Sequence, residues 1–274
     1  MTIGFRELAP GAAAQVEKIS QLPFVKYVNE TVWIFAIVET THLLFLAILG
    51  GAVLVLNLRL LGAALTSMPA REVERATRPW LIAGIVGTIV TGTAMGLTTL
   101  HTMMSSAAFL VKMVALVAAI LFSLAVTREA RRGEADAPGG GGALAVFALA
   151  WWIGSLILFV SGQGLGSGAF LVALAGFALF AAFTRRWRRA YVVGLVAILG
   201  GGFLLVERIV GQGEEPLWLL LLPLGGALAF ATGVALLERR ERGPVVRAPG
   251  RYAAFASTLA WITVAAAGRW IGFS

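Results

Sequence analysis

A chain of 274 residues in which 59% are hydrophobic and only 13% are charged cannot cover a soluble domain, which needs about a quarter of its residues charged. Its mean hydropathy is +0.87, so most of its surface must meet lipid. The net charge of +8 then asks which membrane face carries the excess and is no sign of nucleic acid. The absence of cysteine excludes disulfides, Cys-ligated iron–sulfur clusters, thiolate metal sites and thiol catalysis.

The first thirty residues lack a charged stretch followed by an apolar run, so no cleavable signal peptide is expected. Val16, Ile19, Leu22, Phe24 and Val25 fit a short surface helix broken at Pro23 and lying on the outer membrane face, or a loosely ordered tail. From there the chain reads as an all-α polytopic membrane helical bundle of about eight transmembrane helices, because a span needs about 20 apolar residues to cross about 30 Å of hydrocarbon. The spans fall near Thr31–Asn57, Trp80–Leu100, Ala107–Val126, Ala143–Ser161, Ala169–Phe183, Ala190–Val206, Leu217–Leu237 and Tyr252–Ile271.

Basic residues set the direction. The loops after the first, third, fifth and seventh spans hold sixteen of the 22 Lys and Arg, from Arg59 to Arg251, against seven acids, a net +9. The opposite side holds five basic residues against six acids, a net −1. Both termini are therefore expected on the periplasmic side of a bacterial inner membrane. Four regions follow: an interfacial segment over 1–30, a three-helix unit over 31–127, a cytoplasmic linker over 128–142 whose Gly139–Gly142 run is flexible, and a five-helix unit over 143–274.

Ionisable side chains inside spans are costly and need an account. Glu39 and His42 share one face of the first span. At 1.5 Å per residue Glu39 lies about 9 Å below Trp33, and Lys112 about 8 Å below Ala107 in the third span. An acid and a base at one depth are expected to form a buried pair; the alternative is a polar cluster serving a cofactor or ion site. His42 lies about 13 Å below Trp33. His42 and His101 are the two histidines of the chain, and imidazole is the usual axial ligand of b-type haem. Their heights differ by about 9 Å, so a bis-His haem between the first two spans is strained and His101 reads as interfacial. Met103, Met104 and Met113 offer thioethers that suit haem iron or Cu(I); they also suit plain apolar filling. Two histidines without cysteine cannot make a three-His zinc site. There is no nucleophile–His–acid set and no phosphate loop, so no self-contained catalytic motif is present. Gly87, Thr88, Thr91, Gly92, Thr93 and Gly96 give the second span a small-residue face for close packing.

The run from His42 through Gly50-Gly51 to Asn57-Leu-Arg-Leu-Leu-Gly62, the Thr91-Gly-Thr93 step and Phe109-Leu-Val-Lys112-Met-Val-Ala-Leu116 resemble bacterial membrane proteins of the copper-resistance D (CopD-like) type and their uncharacterised relatives. The resemblance covers about residues 31–127. Asn57 stands where those relatives close with Asp, and Ser123 where they often place a polar or His residue at the end of the third helix. The resemblance implies handling of copper or of electrons at the periplasmic side. Three readings follow. One is a b-type cytochrome-like redox subunit, with haem b held by His42 or a quinone faced by it, partnering a periplasmic redox protein. Another is a copper transport or resistance protein, with His42, Met103 and Met104 on the metal's path and a periplasmic copper-binding protein as partner. The third is a cofactor-free structural subunit built on the Glu39–Lys112 pair.

Overall fold

The computed structural model describes residues 21–99, 103, 106–132, 141–161, 166–184, 186–210, 217–242 and 249–271, together with positions 11, 15, 18 and 19. Among these the elements are helices: α1 Pro23–Glu30, α2 Val32–Leu61, α3 Ala70–Thr98, α4 Ala107–Arg132, α5 Gly141–Ser161, α6 Gly166–Phe180, α7 Arg188–Val210, α8 Leu217–Arg242 and α9 Pro249–Trp270. Four of them are long and apolar enough to cross a membrane: α2 over Trp33–Leu61, α3, α4, and α7 over Arg188–Ile209. Shorter apolar runs lie in α5, α6 and α8. A chain with this many apolar helices is built for a lipid bilayer.

The helix ends follow local chemistry. Positions 18 and 19 are helical, 21 and 22 form a turn, and Pro23 starts α1, because a first-turn residue has no use for its N–H and the fixed φ of proline suits the helix. The α1 helix buries Val25 and Val28 and exposes Tyr27. At the far end of α2, Gly62 adopts φ +72°, and the N–H groups of Gly62 and Ala63 donate to the carbonyls of Arg59 and Leu58, closing the helix with a left-handed cap that glycine adopts at least cost. The α4 helix runs on to Arg132, beyond Val126, so the first part of the expected linker is helical.

Two compact units divide the chain, one of Met1–Phe170 with Pro249–Ser274 and one of Leu171–Ala248. The α9 helix belongs with the first unit because it packs on α4, α2 and α5. Ala253, Ala254, Ser257, Thr258, Ala260, Thr263, Val264 and Ala267 of α9 are all buried. Such small side chains let neighbouring helices approach closely. The core of this unit lies where Ala115, Ala118, Ala119 and Phe122 of α4 meet Ala148 of α5 and Ala260 and Val264 of α9. Side-chain hydrogen bonds tie the same helices together: Trp261 Nε1 donates to Ser123 Oγ at 2.9 Å, Trp152 Nε1 to Thr263 Oγ1 at 3.1 Å and Asn57 Nδ2 to Thr258 Oγ1 at 3.0 Å. Many large apolar residues are exposed, Leu43, Leu44, Val86 and Val90 among them. A small, partly polar interior under an apolar exterior is the distribution expected of helices in lipid.

In the other unit α7 and α8 pack through Gly194 against Phe230 and Gly202 against Pro223. Tyr191 donates to the carbonyl of Phe177 at 2.7 Å. Glu238 Oε1 accepts the backbone N–H of Trp187 at 3.1 Å, so α8 supplies an acceptor just before the first turn of α7.

Candidate functional site

The site is set by how closely α2 and α3 approach. A methyl group on Gly84 would lie 2.8 Å from Leu49 Cα, and one on Gly87 would fall within the ring of Phe45. The two helices run antiparallel, so the next contact up α3 pairs residues 91 and 92 with His42. A methyl group on Gly92 would lie 3.1 Å from His42 Cε1. The glycines of α3 thus form a groove into which α2 sets Leu49, Phe45 and His42 in turn.

His42 is 8% exposed. Its Nδ1 lies 2.8 Å from Thr91 Oγ1, and the Thr91 hydroxyl donates to the carbonyl of Gly87 at 2.6 Å. A hydroxyl has one proton and two lone pairs. When that proton goes to Gly87, Thr91 accepts from His42 Nδ1, and Nε2 of the neutral ring keeps its lone pair on the side away from Thr91. Histidines that ligate metals are held in this way, with the other ring nitrogen donating to a fixed acceptor.

Met103 lies one helical turn along the same flank. Its Sδ sits 3.7 Å from the position of a methyl group on Gly96, four residues beyond Gly92. The backbone N–H of Met103 donates to the carbonyl of Thr99 at 3.0 Å. On α4, Lys112 lies within electrostatic range of His42, its Cε and Nζ 3.7 Å from a methyl position on Gly268 of α9. Thr88 Oγ1, one turn from Thr91, is buried without a partner. Further out, α1, α2 and α3 enclose an apolar cavity of about 110 Å³ lined by residues that include Tyr27, Phe35, Val38 and Met95.

The expected Glu39–Lys112 pair is not formed. Glu39 lies on the exposed face of α2, and the ion pairs among the described residues are Arg131–Glu74 and Arg132–Glu129. The two residues share a depth but not a direction: α2 turns His42 toward α3, which swings Glu39 outward, while Lys112 faces α9. His101 and Met104 lie outside the described residues. Among the described residues no three His, Cys, Asp or Glu side chains gather into a metal-binding group.

The donor set can be tested against the two groups expected from sequence. The Nε2 of His42 suits an axial haem ligand. It equally suits a bare soft metal ion, for which the Met103 thioether is a second donor of fitting chemistry. Thr91 was legible in sequence only as part of a small-residue face; it lies 49 positions from His42, and nothing local marks the two as partners.

Residues 18–168 match the Family of unknown function (DUF6644), and the chain belongs to that family. The match takes in His42, Thr91, Met103 and Lys112 and leaves out α7, α8 and α9. No curated protein and no solved structure matches the chain.

Proposed function

We propose that this member of the family is a multi-pass protein of the bacterial inner membrane that binds Cu(I) in the outer leaflet and passes it on. His42 is the nitrogen ligand and Met103 the thioether ligand. The observation that carries this reading is the contact of His42 Nδ1 with Thr91 Oγ1, which turns Nε2 away from Thr91 on the flank of α3 whose Gly96 the Met103 sulfur approaches. Neutral imidazole and thioether donors suit Cu(I). The resemblance to copper-resistance D type proteins runs over the same helices. In this reading the Arg-rich loops are cytoplasmic, the chain crosses the bilayer eight times, and both termini are periplasmic. His42 then lies in the half of the membrane that a periplasmic copper-binding protein can reach.

The test is an anaerobic titration of the purified protein with Cu(I) against a chromogenic chelator. The wild-type protein is expected to hold a single equivalent, and His42→Ala and Met103→Leu each to weaken it. Unchanged copper retention in His42→Ala overturns the reading. A reduced-minus-oxidised spectrum with a Soret band after haem-replete expression would replace it with the cytochrome-like one.

A further inference from the structure

Among the described residues the Glu39 carboxylate is exposed on α2 and has no ion pair, and a donor on a neighbouring transmembrane helix would satisfy it. The span Trp33–Leu61 has 29 residues and is centred on Ala47. Glu39 lies eight residues from that centre, about 12 Å along the helix axis, inside the hydrocarbon half-thickness of about 15 Å. An ionisable group there is costly unless it is paired. Among the described residues Glu39 has no ion pair.

Its surroundings narrow the kind of partner. Ala36, Thr40, Leu43, Ala47, Gly50 and Gly51 are also exposed on α2, and no atom lies within 4 Å of a methyl position on Gly50 or Gly51, so another helix backbone can come close at the glycines. The Thr40 hydroxyl donates to the carbonyl of Ala36 at 2.8 Å, leaving its oxygen as an acceptor. Beside the Glu39 carboxylate the face therefore offers acceptors only. A second copy meeting this face about a twofold axis would bring the same acceptors and set Glu39 against Glu39. A helix that offers a donor or a positive charge is its complement.

We propose that the exposed face of α2 from Ala36 to Gly51 docks a transmembrane helix of a partner protein whose basic side chain lies opposite Glu39. The chain has no cysteine, so Ala36→Cys gives a unique cross-linking position on this face. The probe is a synthetic Leu/Ala transmembrane peptide with a cysteine at matching depth and either lysine or leucine beside it, in phosphatidylcholine vesicles. The lysine peptide is expected to cross-link about three- to tenfold more than the leucine peptide, the preference one intramembrane polar contact supports. Adding Glu39→Gln is expected to remove the difference, with helical circular dichroism unchanged. Equal yields from the two peptides overturn the proposal. So does a Glu39-dependent cross-link between two copies of the protein that the lysine peptide fails to displace.

Discussion

His42 Nδ1 and Thr91 Oγ1 meet at 2.8 Å across the α2–α3 contact, and the Thr91 hydroxyl also lies 2.6 Å from the carbonyl of Gly87. Thr91→Val keeps the shape of the side chain and removes the acceptor. Removing such an outer partner of a histidine ligand lowers metal affinity about 10- to 100-fold, and that is the loss expected in the Cu(I) titration. Thr91→Ser restores the hydroxyl and is expected to restore the affinity. If Val and Ser bind alike, the hydroxyl does not orient the ring.

Asn57 makes a different link. It is 1% exposed and donates to Thr258 Oγ1, whose own proton goes to the carbonyl of Ala254 at 2.8 Å. The bond joins α2 to α9, helices about 200 positions apart in sequence. A double-mutant cycle of Asn57→Ala and Thr258→Val, read by thermal unfolding in detergent, is expected to give a coupling of about 1 kcal/mol, in the range of interhelical polar contacts in membranes. Simple additivity would show that the two side chains do not support each other.

That contact shows where sequence reading stops. Hydropathy reveals which segments prefer lipid, so α2, α3, α4 and α7 stand out. It also reveals depth, because rise per residue is fixed. It does not reveal rotation about the helix axis, which is set by the neighbour a helix finds. Glu39 and Lys112 were matched in depth and still face apart, while Thr91, which meets His42, looked like one more small residue. The place of α9 was hidden for a related reason. Its Ala, Ser, Thr and Gly content makes it weakly apolar, and in lipid the interior helix is the one that need not be strongly apolar.

Glu74 and Arg131 were legible only as loop charges, yet Arg131 Nε and NH2 both donate to Glu74 Oε1, at 2.9 and 2.8 Å. The partners differ in burial: the Glu74 side chain is 6% exposed and that of Arg131 is 43%. Arg131→Leu strands a buried carboxylate and is expected to cost about 3 kcal/mol. Glu74→Gln leaves a guanidinium that water can reach and is expected to cost about 1 kcal/mol. Equal losses on unfolding would mean that burial of Glu74 does not govern the pair.

The close approach of α2 and α3 can be tested through glycines with opposite surroundings. A methyl group on Gly84 meets backbone, with Leu49 Cα at 2.8 Å and Leu49 N at 2.9 Å, so neither helix can yield without separating from the other. Gly84→Ala is expected to destabilise the protein by about 1–3 kcal/mol, the usual cost of overpacking. It should also weaken Cu(I) binding, because the same contact holds His42 against Thr91. Gly154, in α5, has no atom within 4 Å of its methyl position. There alanine removes backbone freedom from the unfolded chain without a clash, and a gain of about 0.5–1 kcal/mol is expected. Thermal unfolding of both variants in one detergent is the check. If both shift in the same direction, the separation of α2 and α3 is not what Gly84 sets, and the groove that seats His42 has another origin.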